Sequence, residues 1–210
     1  MPRRSKPTPF ASTTHRREIA SLAARMMAED GIDDYGYAKR KAARALGFGE
    51  GDLLPGNDEV EAELRAYQAI YQDEEHPRRL RELRGIALDV MGFLADFNPH
   101  LTGAVLDGTA GRYAIVDLDL FADSAKDVEI MLLSRNIPYD ISEKRLQDGQ
   151  EAKLRIEWDG TPVSLAIYPP LAERQVRRNP HSGHQHNRAK AGAVKALLAE
   201  PAIPAAPVPF

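Results

Sequence analysis

The feature that most constrains this chain is a change of hydrophobic period near Asn98. Before it, apolar residues recur every three or four positions, as on one face of a helix. After it they alternate, as on a strand with one face buried. "TTHRREIASLAARMMAEDG" offers Thr13 or Thr14 as N-cap, then Ile19, Leu22, Ala23, Met26 and Met27 at helical spacing, and Gly31 as the stop. A second helix is predicted through "YGYAKRKAARALG", ending at Gly47. Asn57 is placed to cap a third, in which Val60, Leu64, Tyr67 and Tyr71 form one stripe. The longest, "PRRLRELRGIALDVMGFLADF", has Pro77 in its first turn and turns Leu80, Leu83, Ile86, Ala87, Val90 and Leu94 inward. Beyond Asn98, "AIVDLDLF" alternates and "AKDVEIMLLSRN" returns to helix. "IPYDIS", "AKLRIEW" and "PVSLAIY" read as strands, the last two joined by the tight turn "DGT". The expected class is α+β, a helical N-terminal region packed on a small mixed sheet with flanking helices. The expected divisions are a basic tail over residues 1–17, the helical region over 18–97, the sheet domain over 98–199 and an Ala/Pro-rich tail over 200–210.

Composition narrows the chemistry. Cysteine is absent, which removes disulfides and thiolate metal sites. No apolar run of membrane-spanning length occurs and no apolar stretch follows the basic start, so no membrane partner is expected and the cytoplasm is the expected location. The net charge of −3 is unevenly spread. Residues 1–17 carry +5 and no acid, residues 174–199 carry +6 and no acid, and the rest therefore carries −14. Basic segments beside an acidic body are either phosphate or nucleic-acid contacts, or solubilising tails.

Within "GAVLDGTAGRYAIVDLDLFAD" the strand carries Asp117 and Asp119 one residue apart. Alternation puts both carboxylates on one face, roughly 6 to 7 Å apart, while Val116, Leu118 and Leu120 face the core. Two like charges so placed repel unless a cation lies between them or water screens them. Hard oxygen ligands suit Mg²⁺ or Mn²⁺, which keep waters and take further oxygens from substrate phosphates. In front of the strand, Gly103 and Ala104 start a tight turn, and Gly108, Thr109 and Arg112 follow in "DGTAGRY". Its backbone amides and Thr hydroxyl are expected to cradle a phosphate beside the acids. No phosphate-binding G-x-x-x-x-G-K-[ST] loop is present.

Over residues 98–168 the chain resembles the nucleotidyltransferase fold of the DNA polymerase β superfamily. The resemblance is carried by Gly103-Ala104, then Gly108-Thr109-Ala110, then Asp117-Leu118-Asp119, followed by a matching order of strands and helix. It implies a nucleoside triphosphate such as ATP as substrate, Mg²⁺ or Mn²⁺ on Asp117 and Asp119, and Gly103, Ala104, Gly108, Thr109 and Arg112 around the nucleotide. The implied reaction transfers a nucleoside monophosphate to an acceptor hydroxyl on protein, RNA or a small molecule. Two positions depart from the pattern: Ala104 stands where a serine is usual, and Ser164 stands at the counterpart of the third carboxylate. Glu157, Asp159 and Asp140 are the other acids within range in sequence. Two-metal transfer relies on that third ligand, so a catalytically degenerate nucleotide-binding or interaction module of the same fold is the alternative.

"NPHSGHQHNR" gathers His181, His184 and His186 without a cysteine or acid and reads as a solvated loop. Arg174, Arg177 and Arg178 before it are expected to form a basic rim, since guanidinium forks match phosphate oxygens. A nucleic-acid-binding protein working through its basic tails is a further reading, although aromatics for base stacking are not interleaved with the basic residues.

Overall fold

A computed structural model of the protein describes residues 9–32, 34–48, 54–71, 75–142, 146, 149–175 and 187–199. Arg177, Arg178, His181, His184 and His186 and the tail at 200–210 lie outside these residues, as do residues 1–8 of the basic N-terminal tail, whose residues 9–17 are helical. The fold is α+β, and the described chain falls into two compact units that divide near residue 73.

The first unit consists of α1 (Pro9–Asp30), α2 (Tyr35–Ala45) and α3 (Asn57–Tyr71). α1 begins ahead of Thr13 and Thr14, at a proline, whose missing N–H has no intrahelical partner in a first turn anyway. The side chain of Asp34 accepts from the Tyr37 amide at 2.7 Å and caps α2. Glu59 reaches back to the Gly56 amide, the reciprocal half of a capping box at the start of α3. Alanine dominates the shared core: Ala20, Ala23, Ala24 and Ala28 of α1 meet Ala38, Ala42 and Ala43 of α2, with Ile19, Met27, Val60 and Leu64 filling the remainder. Of the stripe predicted on α3, Val60 and Leu64 are buried and Tyr67 packs against them. Tyr71 is exposed, its ring centre 4.7 Å from that of Tyr67.

The second unit opens with α4 (Glu75–Phe93) and a 3-10 turn (Ala95–Phe97), then β1 (His100–Thr102), α5 (Gly103–Asp107), β2 (Val116–Phe121), α6 (Ala125–Ser134) and β3 (Tyr139–Ile141). It closes with β4 (Ala152–Trp158), β5 (Thr161–Tyr168), a second 3-10 turn (Pro170–Arg174) and α7 (Ala191–Ala199). α4 thus belongs to the sheet rather than to the other helices. Periodicity marked it as a helix with a buried stripe but carried no information about which core receives that stripe; Leu83, Ala87, Val90, Met91 and Leu94 enter the core under the sheet.

The five strands run in the order β1-β2-β5-β4-β3, with β2 and β5 parallel and every other pair antiparallel. Register sorts the two faces. Leu101, Leu118, Leu165 and Leu154 stand side by side across four strands, with Val116, Val163 and Ile156 as the next row, and all seven are buried. The β4–β5 turn is Asp159-Gly160 with φ of 49° and 73°, the left-handed pair that a two-residue hairpin requires.

Candidate functional site

The opposite face of the sheet carries polar rows. Thr102 lies opposite Asp117, Asp117 opposite Ser164, Ser164 opposite Arg155, and Arg155 opposite Asp140. One pair further along β2, His100, Asp119, Ala166 and Lys153 form the second row. Asp117 and Asp119 therefore share a face, as alternation requires, and Ser164 occupies the parallel neighbour of Asp117.

Gly103 is fitted tightly to Asp117. Its φ is +67°, and a Cβ built on it would lie 3.1 Å from Asp117 Oδ2 and 3.6 Å from Asp117 Cβ. The backbone conformation makes any side chain here strained, and the Asp117 carboxylate would have to give way to accommodate one. The chain leaves β1 at Thr102, whose hydroxyl donates to the Asp117 carbonyl at 3.3 Å, and turns directly over the carboxylate.

The rest of the predicted phosphate turn has a different shape. Residues 103–107 form the short helix α5, and the Thr109 amide donates to the Ala104 carbonyl at 3.0 Å. Gly108, at φ +80°, caps this helix, and its amide also reaches Ala104. Gly108 lies against Arg84 and Leu80 of α4, and Thr109 is buried. Arg84 donates to the carbonyls of Val105 and Leu106, both at 3.1 Å, and so places positive charge at the helix C-terminus. Ala104 is half-buried at the start of α5. Arg112 is exposed in a turn, its guanidinium 5.9 Å from the Tyr113 ring centre. Of the five residues expected around the nucleotide, Gly103 is the one held against the acid pair.

The other candidate acids stand apart from it. Asp140 is on the far edge strand, three strands from Asp117, or about 14 Å at ~4.8 Å per strand. Glu157 faces Pro162 on β4, two strands away, and Asp159 is exposed in the hairpin turn. Arg174 is exposed at the end of the second 3-10 turn. Among the described residues no group of three or more His, Asp or Glu side chains is gathered closely enough to hold a metal ion.

Arg188 was counted in the sequence only as one charge of a basic segment, yet it enters this site. Its Nε donates to Asp119 Oδ2 at 2.7 Å, with the Arg188 side chain 10% and the Asp119 side chain 3% exposed. Its Nη1 donates to the carbonyls of Ala172 at 3.2 Å, Glu173 at 3.5 Å and Gln175 at 3.4 Å. The guanidinium lies 5.0 Å from the Phe121 ring centre and 5.6 Å from that of Tyr168. The backbone fixes its place, since Ala189 and Leu101 exchange both hydrogen bonds at 2.9 Å. Sixty-nine residues separate Arg188 from Asp119, so no local pattern announces the pair.

Beside them, His100 Nδ1 lies 2.9 Å from the Asn98 carbonyl and Nε2 lies 3.5 Å from Glu173, which Lys190 also holds at 2.9 Å. Burial holds the His100 imidazole below its ordinary value, outweighing the opposing pull of the Asn98 carbonyl and Glu173. The bond from Lys190, then one from Asn98, holds the Glu173 carboxyl below the usual range. Two buried polar atoms of this face have no hydrogen-bond partner: the Ser164 hydroxyl and Arg188 Nη2.

No family model, no curated protein and no solved structure matches this chain.

Proposed function

We propose that the polar face of the sheet is a nucleotidyltransferase-type site that binds a nucleoside triphosphate with one hard divalent ion and transfers its nucleoside monophosphate to an acceptor hydroxyl. The observation that carries this reading is the fit of Gly103 to Asp117. A glycine in a left-handed conformation leads from one strand over the first acid of a same-face pair on the next. A sheet that merely wets its polar face has no use for so close an approach of backbone to carboxylate.

The side chains fit such an ion as partial ligands. Mg²⁺ typically takes one or two carboxylates and completes its shell with waters and phosphate oxygens, and Asp117 with Asp119 supplies that much. When bound, the ion neutralises charge on the phosphates and on the leaving pyrophosphate. The chain's own residues do the positioning. The Gly103 backbone packs against Asp117, and Thr102 ties β1 to β2 beside it. The acceptor hydroxyl oxygen would attack the α-phosphorus and give its proton to solvent, the bond to the oxygen bridging to the β-phosphate would break, and pyrophosphate would leave.

A second reading, a nucleotide-binding module without transfer, is favoured by one observation: the residue beside Asp117 on the parallel strand is Ser164, and Glu157, Asp159 and Asp140 stand away from it. Incubation of wild type, Asp117→Asn and Ser164→Asp with each labelled triphosphate and a pool of protein and RNA acceptors separates the two. Transfer and pyrophosphate release by wild type, abolished in Asp117→Asn, supports the enzyme. Transfer confined to Ser164→Asp rejects the enzyme for the natural chain and leaves the module.

A further inference from the structure

We propose that the outward face of α2 is a docking surface for single-stranded nucleic acid, with Arg40, Lys41 and Arg44 on successive phosphates and the Tyr37 ring stacked on a base. The surface belongs to the helical unit alone and does not rest on the nucleotide reading of the sheet.

The helix sorts its residues by face. Ala38, Ala42 and Ala43 are buried in the core of the helical unit. At 3.6 residues per turn, Tyr37, Arg40, Lys41 and Arg44 fall within about 100° of one another on the side turned away from that core. Tyr37 is 53% exposed, Arg40 and Arg44 are exposed, and the Lys41 side chain is 41% exposed. The remaining cation, Lys39, lies off this face: it donates to the Pro55 carbonyl at 2.9 Å and to Asn57 Oδ1, holding α2 to the start of α3.

Charge is segregated between the helices rather than mixed along them. α2 holds those four cations and no acid, whereas α3 holds Asp58, Glu59, Glu61 and Glu63 against the single cation Arg65. Arg40 and Arg44 form a like-charged i,i+4 pair, which destabilises a helix in water, and a polyanion laid along the face reverses that effect. Two acids stand near the stripe. Asp30 meets Lys41 at 3.0 Å in a partly exposed pair of the kind that contributes little, and Asp34 accepts from the Tyr37 amide as the helix cap. A phosphate can displace the first and leaves the second in place.

The aromatic decides the class of partner. From Tyr37 to Arg44 the helix rises about 10 Å, the length of roughly three nucleotides of one strand at ~3.4 Å each. A ring more than half exposed beside three cations offers a π-face and phosphate contacts together, the combination that holds unpaired bases. In a duplex the bases are stacked on one another and cannot meet it. An anionic membrane surface would need apolar side chains to enter the acyl boundary, and the stripe has none besides Tyr37.

The test is fluorescence anisotropy of a short labelled oligouridylate with the full chain, over roughly 50 to 200 mM salt. Wild type should bind with an affinity that falls steeply as salt rises. Arg40→Gln and Arg44→Gln should each flatten the log–log slope by about 0.7, and the triple variant Arg40→Gln/Lys41→Gln/Arg44→Gln by about 2. Arg135→Gln, which removes an exposed cation of the sheet unit, should leave the slope unchanged. Tyr37→Ala should weaken binding at least about fivefold at an unaltered slope, and Tyr37→Phe should bind as wild type does. Far-ultraviolet circular dichroism checks that each variant keeps its helices.

No binding by wild type at the lowest salt, or a triple variant with wild-type affinity and slope, overturns the surface. Equal flattening in Arg135→Gln does the same, since it shows diffuse attraction only. Unchanged affinity in a folded Tyr37→Ala protein, or equally tight binding of a duplex of the same length, overturns the single-stranded partner. Capture by phosphatidylserine vesicles that the triple variant loses, with no oligouridylate bound, assigns the face to a membrane and overturns the proposal. ATP and Mn²⁺ titrations of the triple variant should match wild type, so that this surface and the proposed nucleotide site stand or fall separately.

Discussion

The two units bury different things, and the difference separates what holds this chain together from what it is used for. The helical unit packs alanines, with seven of them in the core that α1 and α2 share. Its charges stay at the rim, as in Arg16–Glu59 at 2.6 Å, Arg25–Glu29 at 3.0 Å and Lys41–Asp30 at 3.0 Å. Partly solvated pairs of that kind contribute little. The sheet unit buries large aliphatic rows on one face and, on the other, an ion pair and a histidine. A folded unit has no packing reason to bury an arginine and an aspartate where hydrophobic residues would be as stable. The unit that includes that cost is the one with the candidate site.

A single tryptophan makes the comparison measurable. Trp158 lies in β4 against Phe93, at 5.1 Å between ring centres, so its fluorescence reports the sheet unit, whereas far-ultraviolet circular dichroism reports both. The largest expected effect is on the buried pair. Arg188→Met removes the guanidinium from a buried Asp119 and should destabilise the sheet unit by about 3–5 kcal/mol. The Trp158 transition should move accordingly, and amide exchange in α1–α3 should not change. A shift of less than about 1 kcal/mol, the level of an exposed pair, would show that the guanidinium is solvated and that the two units do not differ in this way.

Next in size is overpacking of the alanine core. Ala23→Leu places a bulky side chain between closely spaced helices and should cost about 1–3 kcal/mol. Amide exchange in α1–α3 should quicken while the Trp158 transition stays in place. Tolerance of leucine at this fully buried position would mean that the helices are spaced more widely than their alanines indicate.

The smallest effect is acid sensitivity, and the units should differ in its onset. Burial lowers the His100 and His76 imidazoles below 6.5, so the unfolded chain binds protons more readily at these groups. Their neutral forms favour the folded sheet unit. That stability is present above pH ~6.5 and declines as pH falls through the depressed folded values. In the helical unit Glu59 is held below 4.5 by the Gly56 amide and by Arg16, so its contribution is present above that value and is lost only in stronger acid. The Trp158 transition should therefore weaken below pH ~6.5 before exchange in α1–α3 responds, and His100→Gln should flatten that early slope. An early slope unaltered in His100→Gln would assign it elsewhere.

Much of this was legible in the sequence because it is local. Alternation in "VDLDLF" is enough to place Asp117 and Asp119 on one face, and Asp159-Gly160 is enough to make a hairpin turn. What was not legible depends on register and on distance along the chain. The turn after Gly103 is a short helix whose C-terminal carbonyls accept from Arg84, on a helix some twenty residues earlier. Which acid accompanies Asp117 depends on strand order, and β5 offers Ser164 while Asp140 goes to the far edge. Arg188 carries no motif at all; its importance arises from a bridge between Ala189 and Leu101 that no spacing rule predicts.

The most direct test of the proposed site is calorimetric titration of ATP into the full chain in the presence of Mn²⁺, repeated with chelator and with Asp117→Asn. Saturable binding in wild type is expected, with at least about a tenfold loss in each of the other two conditions. Equal binding in all three, or none in wild type, would contradict the claim that this face of the sheet is a metal-dependent phosphate site.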